Sequence, residues 1–161
     1  MNFILFEENR LEASASLKIA APVGRVWKIV TDIEKFKDRI SCIKGIEILE
    51  KPADGLVGFK WREIREMFGR EAEETMWIKE AVEHQYYVAE AKNSGCIYHS
   101  RVSLIEEGGV TEVSMSFKSI PQTFMAKLMS PIMYLMKGTI KKAYEKDLKD
   151  IEKVVMKSQA S

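Results

Sequence analysis

The sequence predicts an α+β fold, a curved antiparallel sheet of about seven strands wrapped around a long C-terminal helix, with two short helices after the first strand. Three observations carry this. From Gln122 to Met156, Phe124, Leu128, Ile132, Leu135, Met136, Ile140, Tyr144, Leu148, Ile151 and Val155 recur at three- and four-residue steps, the spacing of an apolar stripe on one helix face. Between residues 43 and 117, six short runs are punctuated by turn residues, as in hairpin-connected strands. The stretch Leu11–Ile19 alternates strictly, with Leu11, Ala13, Ala15, Leu17 and Ile19 on one face, the signature of a half-buried strand.

Taken in order, Leu11–Ile19 leads to Pro22, a residue without an N–H that suits a first helical turn. Val23, Val26, Trp27 and Val30 follow at helical spacing, and Asp32-Ile33 breaks the pattern before a second short helix through Phe36 and Ile40. Strands are then expected at Ile43–Leu49, Val57–Met67, Glu71–Glu80, Tyr86–Ala91, Ile97–Ile105 and Thr111–Phe117, joined by tight turns as in an antiparallel meander. Pro121 separates the last strand from the helical pattern, and Pro131 within that pattern is expected to bend the helix or mark its true start. A helix from Gln122 to Met156 would be about 50 Å long at 1.5 Å per residue, and only the strand-rich segment could cover its stripe. A sheet of this size curls because its strands twist. Curled around so long a helix, it is expected to leave a cavity.

Composition narrows the classes. The chain has 161 residues, 46% apolar and 30% charged, and reads as one globular domain over residues 1–161. Its 25 basic and 24 acidic residues give a net charge of +1, which favours no polyanion, so nucleic acid is not an expected partner. Cys42 and Cys96 stand alone, without CxxC spacing, and read as reduced thiols. The opening Met1–Phe6 run is apolar but short and soon reaches charged residues, so a secretory leader is not expected. No run approaches the roughly 20 apolar residues of a membrane span, and the expected location is the cytoplasm without stable membrane insertion.

The segment Ala20-Ala21-Pro22-Val23-Gly24-Arg25-Val26-Trp27-Lys28-Ile29-Val30-Thr31-Asp32, followed by Val57–Glu63, Met67–Glu71 and Gly109–Val113, resembles the START-like, helix-grip superfamily. That superfamily includes Bet v 1, the polyketide cyclase/dehydrase group and lipid-transfer domains. The ordered set spans about Leu11 to Val155. It implies the helix-grip fold and a cavity between sheet and terminal helix, without implying one activity.

Strand alternation supplies candidate cavity residues. Phe59, Trp61, Glu63 and Arg65 share one strand face; Glu74 and Met76, then Tyr87, then Tyr98 and Ser100, then Met115 and Phe117 continue it. Leu128, Ile132, Leu135 and Met136 face them from the helix. Buried charges are costly unless paired, so Glu63, Arg65 and Glu74 are expected to form one network, suited to anchoring a polar head group. A register slip of one residue would instead turn every one of these charges outward. His84 reads as a turn residue and His99 as outward-facing, and no HExxH, GxSxG, GxGxxG or Cys/His cluster is present, so no metal, cofactor or catalytic residue is assigned. Exposed Met and Phe near Ile120–Met136 could meet a membrane or a partner.

Three functional readings stand. The first is non-catalytic binding of a small hydrophobic ligand, of lipid, polyketide or isoprenoid type. The second, implied by the resemblance, is a polyketide cyclase/aromatase-like enzyme in which Arg65, Glu63 or Tyr98 assists proton transfer. The third is a protein-interaction module with a vestigial cavity.

Overall fold

A computed structural model of the chain describes residues 11–161; the Met1–Phe6 run, and the reading of it, lie outside the described residues. Seven strands form one antiparallel sheet: β1 (Leu11–Ile19), β2 (Ile43–Glu50), β3 (Lys60–Met67), β4 (Arg70–Val82), β5 (Tyr86–Asn93), β6 (Cys96–Glu107) and β7 (Val110–Pro121). Their order is β1-β7-β6-β5-β4-β3-β2, so the meander runs from β2 to β7 and β1 closes onto β7. Helix α1 (Val23–Val30) and α2 (Phe36–Arg39), the latter preceded by one tight turn at Ile33–Lys35, link β1 to β2. Helices α3 (Phe124–Tyr134) and α4 (Lys137–Gln159) end the chain.

Three hairpins turn on two residues with positive φ: Phe68-Gly69, Ser94-Gly95 and Gly108-Gly109. That geometry matches the right-handed twist of the flanking strands. Register irregularities in β2, between Ile43 and Gly45 and between Ile48 and Glu50, and in β4, between Ile78 and Glu80, bend those strands. The resulting concave face carries the expected alternation. Ala13, Ala15, Trp61, Ile78, Tyr87, Ala89, Val102, Leu104 and Val113 are buried on it, and α4 answers with Ile140, Tyr144, Leu148, Ile151 and Val155. The far end of α4 is tied to the first turn of the chain: Gln159 donates to the Ala20 carbonyl at 2.9 Å and Arg25 to the Ser158 carbonyl at 2.7 Å. Asp150 accepts from the backbone N–H and hydroxyl of Ser41, which fixes α2 against the middle of α4.

The continuous helix expected from Gln122 to Met156 is not formed. The chain stays helical through Pro131 and breaks at Leu135-Met136, where Leu135 and Met136 donate to the carbonyls of Ile132 and Met133 in the tighter i→i−3 pattern. Pro131 therefore neither starts the helix nor ends it. Val57, expected in a strand, precedes β3 and is exposed.

Candidate functional site

The cavity opens where the sheet rows run out of bulk. Ala72 on β4, Ala89 and Ala91 on β5, Ser100 on β6 and Ala143 on α4 all face inward, where larger side chains would let sheet and helix meet. The space they leave is about 340 Å³. Its wall includes Trp61, Met76, Met115, Phe117 and Val102 from the strands, Phe36 from α2, and Met133, Met136 and Ile140 from the end of the chain. Phe68, at the β3–β4 turn, also lines it and is 53% exposed, which marks the rim. Phe68 holds φ at 54°, a left-handed conformation that an aromatic residue adopts at a cost of about 1–2 kcal/mol.

A polar cluster lies in one wall. Arg65 donates from Nε to Glu63 Oε1 at 2.9 Å and from Nη1 to Asp147 Oδ2 at 2.7 Å. Trp61 Nε1 donates to the other Glu63 oxygen at 3.3 Å. The Cys42 thiol donates to Asp147 Oδ1 and accepts from Arg65 Nη1, both at 3.1 Å. Glu63 and Asp147 are buried, and each carboxylate oxygen of both has a partner. Burial alone would lower the proton affinity of the guanidinium, but Glu63 and Asp147 reverse this and hold Arg65 firmly charged. Burial pushes the Cys42 thiol up to about 12, so it is a hydrogen-bonding group and not a thiolate. Among the described residues, Arg65 Nη2 has no partner. Behind Arg65 and Asp147 lies a further space of about 50 Å³, and Arg65, Tyr87, Val102, Met115 and Phe36 border both chambers.

The phenols complete the interior. Tyr87 donates to the Val30 carbonyl at 3.1 Å, Tyr144 meets Ser100 at 3.3 Å, and Tyr98 stacks on Phe117 with ring centres 5.6 Å apart. Burial pushes Tyr98 and Tyr144 up to about 12 and raises Tyr87 as well. Burial also raises Glu74, although a hydrogen bond from Asn93 at 3.4 Å opposes the shift.

Of the residues expected in the cavity, the structure brings together Trp61, Glu63, Arg65, Glu74, Met76, Tyr87, Tyr98, Ser100, Met115, Phe117 and Met136. Others fall elsewhere. Phe59 is buried behind the wall, packed on Trp61 with ring centres 6.1 Å apart. Leu128, Ile132 and Leu135 are 61%, 56% and 81% exposed and lie outside the cavity, because α3 leaves the sheet and does not extend α4. The expected Glu63–Arg65–Glu74 network is also corrected: Glu74 turns to Asn93, and Arg65 takes Asp147 as its second carboxylate. Asp147, set among the charged residues of α4, is 1% exposed. Its spacing from Ile140, Tyr144 and Ile151 placed it on the buried stripe, and that signal was available. His99 lies on the convex face and pairs with Glu90 at 2.8 Å.

Comparison with solved structures identifies the fold. The chain superposes on the Zhui aromatase/cyclase from Streptomyces sp. R1128 with a TM-score of 0.74 and 12% identity, covering 91% of this chain and 94% of that one. A START superfamily protein from Mycobacterium smegmatis gives 0.71 and 19%, over 91% and 97%. Norcoclaurine synthase from Thalictrum flavum, solved with dopamine and hydroxybenzaldehyde, gives 0.68 and 14%, over 92% and 87%. No protein-family model matches the chain, and no curated protein matches it by sequence. The fold is the START-like helix-grip fold, shared by ligand-binding proteins and enzymes alike.

Proposed function

We propose that residues 1–161 form one domain that binds a single small hydrophobic ligand, of lipid, polyketide or isoprenoid type, between the sheet and α4 without reacting it. The observation that carries this is the cavity itself, about 340 Å³ with mainly apolar side chains around one charged cluster in which Arg65 is held by two carboxylates. That volume lies at the lower end of the about 300–1,000 Å³ usual for small-molecule sites, and suits one ring system or one short chain. Arg65 lines the cavity and keeps Nη2 outside its bonds to Glu63, Cys42 and Asp147, which leaves it a donor for a ligand oxygen. Proton-transfer chemistry of the cyclase kind would draw on Arg65, Glu63 or Tyr98, and Arg65 and Glu63 are already bonded to each other, to Asp147 and to Trp61. The cytoplasmic setting expected from the sequence is part of the same proposal.

The test is titration with anilinonaphthalene sulfonate, followed by its fluorescence, alongside native mass spectrometry of gently purified protein. The reading expects one saturable site, lost when Ala143→Phe and Ala91→Phe fill the space. Binding that survives both substitutions would locate the apolar site elsewhere and end this proposal.

A further inference from the structure

We propose that α3 is a docking element for an anionic lipid surface. The helix carries Phe124, Met125, Leu128, Met129 and Ile132, and Leu135 caps it, all exposed; it buries only Ala126. At about 100° per residue, Phe124, Leu128 and Leu135 fall roughly opposite Ala126, the side that meets the body of the protein. The stripe therefore points away from the cavity, and closing α3 over the mouth would leave it in water.

Charge selects the occupant. From Val113 to Tyr144 the chain has no carboxylate, while Lys127 lies within α3 and Lys137 opens α4, with Lys141 and Lys142 one turn further on. Apolar side chains bordered by lysines fit the boundary between acyl chains and anionic head groups. A second copy fits poorly. Self-pairing would set Lys127 and Lys137 near their own equivalents, and an 11-residue helix, about 16 Å long, offers far less than the roughly 800 Å² per partner of a stable interface. The position also matters. Met133 of α3 lines the cavity mouth together with Phe68, a half-exposed aromatic held in a strained turn conformation. Docking on the outer face of α3 would place the membrane beside this rim, with α3 between the bilayer and the cavity. The inference concerns peripheral contact, since no helix among the described residues is long and apolar enough to cross a bilayer. It stands independently of the ligand reading.

The experiment is flotation of the intact chain with vesicles of phosphatidylcholine alone or mixed with phosphatidylglycerol, at low and at physiological salt. Binding to the mixed vesicles is expected, weakened by salt. Leu128→Glu with Leu135→Glu should lower it at least tenfold, and Lys127→Glu with Lys137→Glu should remove the preference for the anionic mixture. All four side chains lie on the surface, so an unchanged melting temperature checks that the variants fold. The proposal is overturned if the intact chain ignores anionic vesicles at low salt, or if the double glutamate variant floats as the parent does. It is equally overturned if light scattering shows a dimer that the same substitutions dissolve, which would assign the stripe to a second copy.

Discussion

Helices α3 and α4 continue one apolar spacing, and their fates differ completely. Along α4, Ile140, Tyr144, Leu148, Ile151 and Val155 are buried against the sheet. Along α3, the same three- and four-residue steps bring Phe124, Leu128, Ile132 and Leu135 into solvent. Periodicity fixes which side chains share a face, but burial depends on what stands opposite. Strand β1 stands opposite α4 and Ser100 of β6 meets Tyr144, whereas α3 touches β7 and β1 only lightly. Of the two helices, α4 therefore carries the burial.

That contrast is sharpest at charged residues. Asp147 on α4 is almost fully buried and holds Arg65 at 2.7 Å, whereas Glu145, two residues earlier, meets Lys141 at 3.9 Å in water. Asp147→Ala leaves a buried guanidinium with one carboxylate and should cost about 3–5 kcal/mol by urea denaturation. Glu145→Ala should cost no more than about 0.5 kcal/mol. Equal losses would contradict the division between the buried and the solvated face of α4. Next in size is a pair of leucines. Leu148→Ala at a site 1% exposed should cost about 2–5 kcal/mol, and Leu135→Ala at 81% exposure should stay within about 0.5 kcal/mol.

How much of this was legible follows from the same distinction. The strand faces were readable because a period of two admits two phases, and only one placed Trp61, Ile78, Val102 and Val113 together inside. Placing Glu63 and Arg65 on the inner face followed from that phase. Their partner did not: Asp147 lies 82 residues from Arg65, and which carboxylate reaches a guanidinium depends on where the helix crosses the sheet. The helix break was missed for a related reason. Gly138, two residues past Met136, is the one local weak point near the break, while Pro131, the more visible breaker, is accommodated within α3 because its missing N–H deprives only the Lys127 carbonyl. With the break unseen, Leu128, Ile132 and Leu135 were carried into a cavity they do not reach.

A smaller effect tests the boundary of the cavity near its mouth. Burial raises Glu74 above its ordinary range, so the folded state holds this proton more tightly than the unfolded chain does. Its contribution to stability is therefore fully present below the ordinary carboxyl range and declines as pH rises through the folded value. Glu74→Gln removes that decline. The variant should gain melting temperature relative to the parent at pH 7, and gain less at pH 4. A gain independent of pH would show that Glu74 is solvated and that the cavity wall ends before it.

The finest test asks whether α3 and α4 open as one unit. Amides protected by packing exchange only when their region unfolds, and regions with few buried apolar contacts open first. Among the large apolar side chains of α3 none is fully buried, and one helical hydrogen bond is missing at Pro131, so its amides should exchange well before those of α4 between Tyr144 and Val155. Pro131→Ala restores the donor to the Lys127 carbonyl and removes a ring that costs a helix interior about 3 kcal/mol. If α3 opens alone, this substitution slows exchange there and leaves α4 and the urea midpoint where they were. If the midpoint rises by the full amount and both helices slow together, the two share one cooperative unit, and the break at Leu135-Met136 is a bend in a single helix.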